Sequence, residues 1–242
     1  MKGLLPFIIA LGVVSGQQTT KVISVNDPRP LSEAILKLEK ATGQPITYED
    51  PSYSYAADIV DRSDSLPHKP GVKVLLPRGG LLIFPFMPSE ASDRPGTAKV
   101  VQRLVTTFNR TYPDGAQFDV LDQEGLFHVI PRTSRSASGA VEPHASPLDV
   151  PLTVVVKDVN GLEALNAICD AIKATTGTPI LMGTIDMNAF AHTTLSISND
   201  RETGRTLLTQ VLQITASSLS WQLLTGAGPE PGYFLNIHQV QP

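Results

Sequence analysis

The side chains best able to do chemistry are few and scattered. The five histidines are His68, His128, His144, His192 and His238. No two share the one-turn spacing that sets a pair of metal ligands on one helix face, the usual opening of a zinc site. The chain has no His-Glu-x-x-His, no Gly-x-Ser-x-Gly and no glycine-rich loop ending in Lys-Ser or Lys-Thr. Metalloprotease, nucleophile-elbow and phosphate-cradling chemistry therefore lack their motifs. A Ser-His-Asp triad needs no sequence proximity, but nothing here nominates one. The expectation is no catalytic residue, no metal and no cofactor. Cys169, the single cysteine, shares helical spacing with Leu162, Leu165 and Ile172, which predicts a small core residue rather than a reactive thiol.

Recognition chemistry is more concentrated. The stretch from Tyr48 to Asp64 holds three of the five tyrosines, Tyr48, Tyr53 and Tyr55, with Glu49, Asp50, Asp58 and Asp61. Tyrosines supply contact area and acids supply specificity, so Tyr48, Tyr53, Tyr55, Asp58 and Asp61 are partner-binding candidates. The competing reading is a strand and turn with solvated acids. The acids lack the Asp-x-Asp-x-Asp-Gly spacing of a calcium loop. A second candidate is the apolar run Leu81–Met87, in which Pro85 suits an edge strand. An apolar edge can accept a strand from another chain, which adds Leu82 and Phe84 as candidates. The alternative is that the run packs in a core. Arg78-Gly79-Gly80 reads as a turn between strands.

The elements that would hold these residues follow from patterning. The chain opens with Lys2, an apolar run from Leu4 to Val14 and small residues to Gly16, the layout of a secretory signal peptide over residues 1–16. The apolar run is shorter than a membrane span, so the expectation is an exported, periplasmic or extracellular protein not inserted in the membrane. With 19 basic against 23 acidic residues, the balance argues against nucleic acid, whose binders cluster Lys and Arg.

The remainder reads as α+β and repeats itself. Residues 21–25 form a strand, a helix starts at Pro30 and stops at Gly43, and a strand follows at 45–48. Residues 152–156, a helix from Leu162 to Gly177 and a strand at 178–181 match that order. A short strand follows at 194–198 in the second half, and each half then adds a helix, 98–112 and 202–216, and a hairpin, 117–130 and 219–238. The unit is β-α-β-β-α-β-β, twice, as two helices on small sheets. The first copy, 20–132, carries an inserted loop, 50–71, and a hairpin of 72–77 with 81–86. The second spans 148–242. Between them, 133–147 is rich in serine with Pro143 and Pro147, and predicts a flexible linker.

The segment Val22-Ile-Ser-Val-Asn-Asp-Pro-Arg-Pro-Leu-Ser-Glu-Ala-Ile35, followed by Thr42-Gly43-Gln44-Pro45-Ile46, resembles the short N-terminal domain of secretins and TonB-dependent transducers. Val159-Asn-Gly-Leu-Glu-Ala-Leu165 with Thr176-Gly177 resembles it again. The resemblance implies two helices on small sheets, a bacterial envelope location, and docking of protein partners without catalytic residues. No barrel accompanies it here. Three functions stay open: an exported adaptor for an envelope protein, a binder of a small ligand or cell-wall fragment between the modules, and a hydrolase with an unrecognised site.

Overall fold

The computed structural model describes residues 19–66, 71, 73–227 and 232–241. The predicted signal peptide, His68, Val72 and the tip of the last hairpin lie outside the described residues. The chain is a mixed α+β protein.

In the first half, β1 (Lys21–Asp27) turns through Pro28 and Arg29 into α1 (Pro30–Thr42). Pro30 occupies the first helical turn, where a missing N–H costs nothing. Gly43 ends the helix at φ 69°, and its N–H bonds the Glu39 carbonyl at 2.7 Å, a left-handed stop that glycine accepts without strain. β2 (Ile46–Glu49) follows, then the short strands β3 (Ile59–Asp61) and β4 (Leu75–Pro77). β5 (Gly80–Phe86), α2 (Arg94–Thr111), β6 (Phe118–Gln123) and β7 (Leu126–Pro131) complete the half. Asp93 caps α2 by accepting the Gly96 N–H. β6 and β7 turn at Glu124 and Gly125, both at positive φ, as a two-residue hairpin requires.

β1 pairs antiparallel with β5, β2 parallel with β7, and β7 antiparallel with β6. The expected hairpin of 72–77 with 81–86 does not form. β4 pairs with β3, and β5 crosses to β1. The reason is burial. The alternation of β5 puts Leu82, Phe84 and Phe86 on one face, opposite Val25, Ile23 and Lys21 of β1. That face closes a core with Leu31, Ile35, Leu38, Val101, Leu104 and Val105 of the two helices. An inserted hairpin would leave those side chains in water.

The stretch 133–147 is a correction to the sequence reading. It is folded, not a loose tether. β8 (Thr133–Arg135) and β9 (Val141–Pro143) pair as a hairpin. Ser146 and Pro147 are then buried, and Leu148 enters the second core. Its anchors are the Ser146 hydroxyl on Glu49 and the Arg135 guanidinium on Asp58, contacts that composition does not record.

The second half contains β10 (Pro151–Leu152), β11 (Val155–Asn160), α3 (Gly161–Thr176), β12 (Ile180–Met182) and α4 (Met187–Ala191). β13 (Thr194–Ser198), β14 (Glu202–Thr203), α5 (Gly204–Thr215), β15 (Leu219–Thr225) and β16 (Tyr233–Gln239) follow. Asn160 and Glu163 form a capping box at the start of α3, and Gly177 ends it at φ 73°. β11 pairs antiparallel with β13, β12 parallel with β16, and β15 antiparallel with β16.

β2 and β15 join the halves. They pair in parallel, Gln222 against Tyr48 and Leu223 against Glu49, giving one six-stranded sheet in the order β12-β16-β15-β2-β7-β6. Because side chains alternate along a strand, this register sorts the two faces. Tyr48 and Gln222 face α1 and α2, and Gln222 donates to the Ser32 carbonyl of α1. Glu49 and Leu223 face the other way, where Arg205 of α5 meets Glu49. Each half thus covers part of the other's sheet. Cys169 is buried among the apolar residues of the second core, and burial pushes its thiol up to about 12.

Candidate functional site

Five chain segments converge at one end of the first half. They are the corner between β1 and α1, the end of β2 with the residues after it, the loop between β4 and β5, the end of α2 running into β6, and the β8 strand. They enclose a cleft of about 80 Å³ that is partly open to solvent. Its floor is apolar: Leu31, Tyr48, Phe108 and Phe118, all buried. The Tyr48 and Phe118 rings stack at 5.7 Å, and Phe108 meets Phe118 edge-on at 5.3 Å, arrangements that fix ring positions. Tyr112 extends this wall from Phe108 at 4.9 Å.

The rim carries three guanidinium groups. Arg29 donates through Nε to Asp50 at 2.5 Å and through Nη2 to the Thr225 carbonyl at 2.6 Å. Asp50 is fully buried and also accepts from the Tyr48 hydroxyl (2.9 Å), the Tyr53 hydroxyl (3.2 Å) and the Thr225 N–H (3.0 Å). Desolvation pushes its carboxyl up, while Arg29 and the other donors oppose that. Four donors, one of them a guanidinium, hold it as a carboxylate. Burial raises both tyrosine hydroxyls well above their usual range, so they act as neutral donors. Arg135 binds Asp58 through two bonds, 3.0 and 2.5 Å, and stacks over the Tyr55 ring at 4.4 Å. Arg78 donates to the carbonyls of Ala57 (2.7 Å) and Ile59 (3.2 Å). Among the described residues no carboxylate forms a salt bridge with it.

Gly79 follows Arg78 because the chain there lies against the Asp27–Pro28 backbone, and a Cβ would collide with the Asp27 carbonyl oxygen. Pro28, Pro77, Arg78 and Gly79 line both the cleft and a separate polar hollow beside it. They form a wall that closes this end.

The seam between the halves is filled. Arg205 is 1% exposed and contacts Glu49, also 1% exposed, and it donates to Asp149 at 2.7 Å. The Ser146 hydroxyl donates to Glu49 at 2.6 Å. Burial pushes the Arg205 guanidinium down to about 10, which leaves it charged at neutral pH. His238 reaches Glu39 of α1 at 2.8 Å. His128 is fully buried with Nδ1 2.7 Å from the Thr47 hydroxyl, and burial lowers it to about 4. A binding cleft between the halves, one of the sequence expectations, meets this packing instead. A polar groove beside Lys40 and Gln239 opens at one end of the seam.

The predicted site residues divide. Tyr53, Tyr55 and Asp58 do meet, at the cleft rim. Tyr48 is in the floor, with its hydroxyl turned to Asp50 rather than to solvent. Asp61 lies apart, exposed, accepting from the Ser63 N–H and 3.8 Å from Lys73. Leu82 and Phe84 are core residues, 0% and 2% exposed, so they offer nothing to a partner. Alternation turns their neighbours Leu81 and Ile83 outward instead, 53% and 52% exposed. Sequence reasoning missed Arg29, Arg78, Arg135, Phe108 and Phe118. Arg29 between two prolines and Arg78 before two glycines were the available signals, since such corners hold a side chain in a set direction.

Among the described residues no group of three or more His, Cys, Asp or Glu side chains is placed to hold a metal. None of their helices is long and apolar enough to cross a membrane. No protein-family model, curated protein or solved structure matches the chain.

Proposed function

We propose that this chain is an exported, non-enzymatic recognition protein of the bacterial envelope, built from two copies of one unit, that docks a protein partner in the first-half cleft. The observation that carries the reading is the cleft itself: a rigid aromatic floor under a guanidinium rim, assembled from five segments. Its lining has no histidine and no cysteine; its polar side chains are those of tyrosines, arginines, Ser52 and Asp58, types that serve recognition. The copy reading is supported by matching pairings in the two halves: the strand before the first long helix pairs antiparallel with a strand before the second (β1 with β5, β11 with β13), and the strand after the first long helix pairs parallel with the strand that ends the closing hairpin (β2 with β7, β12 with β16). The leader sequence supports export, and the mild acidity speaks against nucleic acid.

The test is site-specific photocrosslinking in intact source cells. A photoreactive residue replaces Tyr53 at the cleft rim, or Lys157 on the exposed β11 strand of the second half as a control. One dominant envelope protein captured from Tyr53 and not from Lys157 is the expected result. Equal capture from both, or none with the protein folded and exported, overturns the reading.

A further inference from the structure

We infer that the cleft recognises the C-terminal end of a polypeptide, with the terminal carboxylate on Arg78 and the last apolar side chain on the aromatic floor. This rests on the docking reading above. Among the described residues the three rim guanidinium groups meet two carboxylates, Asp50 buried beneath the rim and Asp58 on it, which leaves one positive charge without a carboxylate partner. Arg29 and Arg135 are each engaged by a carboxylate, Asp50 and Asp58. The unmatched charge is therefore Arg78. Its two bonds to the Ala57 and Ile59 carbonyls fix the plane of the guanidinium and leave three of its five N–H groups free. A fixed fork of this kind suits a carboxylate, which takes two parallel bonds from it.

The shape selects a chain end. Past Arg78 the cleft is closed by the wall in which Gly79 packs on the Asp27–Pro28 backbone. A chain running through would need an exit there, whereas a terminus needs none. The cleft is partly open to solvent, so the rest of the partner has a way out. Leu31, Phe108 and Phe118 line the same cleft as Arg78, and this apolar floor favours an apolar final residue.

The experiment uses fluorescein-labelled pentapeptides ending in Leu, Phe or Val, each as free acid and as C-terminal amide, titrated by anisotropy against the exported chain. The free acids are expected to bind at least ten-fold more tightly than the amides. Arg78→Gln is expected to erase that difference, and Arg78→Lys to restore only part of it, while Arg132→Gln, on the exposed surface outside the cleft, leaves it intact. Thermal denaturation of each variant separates lost binding from lost folding. Equal binding of acid and amide, or no binding of any peptide, overturns the inference. So does hexanoate or phenylacetate competing as well as the peptides do, since the site would then take a small carboxylate. If the peptides fail while Tyr53 still captures a partner in cells, the docking reading stands and only the carboxylate assignment falls.

Discussion

Replacing Arg205 by methionine should cost this protein a large share of its stability. The side chain is 1% exposed and lies between Glu49, equally buried, and Asp149, whose side chain is 54% exposed. Methionine keeps most of the volume and removes the charge. Asp149 would be solvated, but Glu49 would remain in the sheet face with only the Ser146 hydroxyl. Leaving one partner of a buried pair uncompensated costs about 3–5 kcal/mol. A chain of this length loses about 2–4 °C of Tm per kcal/mol, so the drop is about 6–20 °C. Urea unfolding at pH 7 measures the loss as a lower midpoint at unchanged slope. The paired variant Glu49→Leu/Arg205→Met removes both charges and should recover most of it, because a buried pair repays little beyond its own desolvation. A loss under about 1 kcal/mol for Arg205→Met would refute the claim that Glu49 is desolvated. A paired variant as unstable as the single one would show that shape, not charge, fills the seam.

Acid should destabilise the fold through His128. Its folded value of about 4 lies below the unfolded value near 6.5, so its contribution is complete above about pH 6.5 and is lost as pH falls toward 4, by about 1.4 kcal/mol per pH unit. Urea midpoints at pH 7, 5.5 and 4.5 check this; because burial also lowers His144 to about 4, His128→Gln should make the profile shallower without abolishing its slope, and an unchanged slope in that variant sinks the assignment. Leu82→Asp should cost more than about 4 kcal/mol by burying a charge, while Ile83→Asp, one residue on, stays within about 0.5 kcal/mol. Equal thermal shifts for the two would contradict the β1–β5 register. Gly79→Ala should cost about 1–3 kcal/mol by overpacking the closed end of the cleft, and a neutral Tm would mean that wall is loose.

Much of the secondary structure was legible because its causes are local. Pro30 and Gly43 bracket α1, Asn160 and Gly177 bracket α3, and Leu219–Thr225 alternates as a strand must. These signals depend on a few residues and on burial of one face. The partner of each strand was not legible where two pairings satisfied the same alternation. Leu81–Phe86 could pair with 72–77 or with β1, and only the helices under β1 made the second choice bury Phe84. The linker escaped for a similar reason: Arg135 and Ser146 look like tether residues until Asp58 and Glu49 stand opposite them.

The sequence by itself determined the α+β class, the limits of α1 and α3 to within a residue, and the Tyr48–Asp64 stretch as a place of interest, since spacing and capping act over a few residues. Tertiary structure alone decided that β2 and β15 join the halves into one sheet, that Tyr48 is floor rather than surface, and that Arg29, Arg78 and Arg135 share a rim. Those arginines are separated by tens of residues in the chain. What brings them together is the burial of apolar faces on distant elements, which no local pattern records.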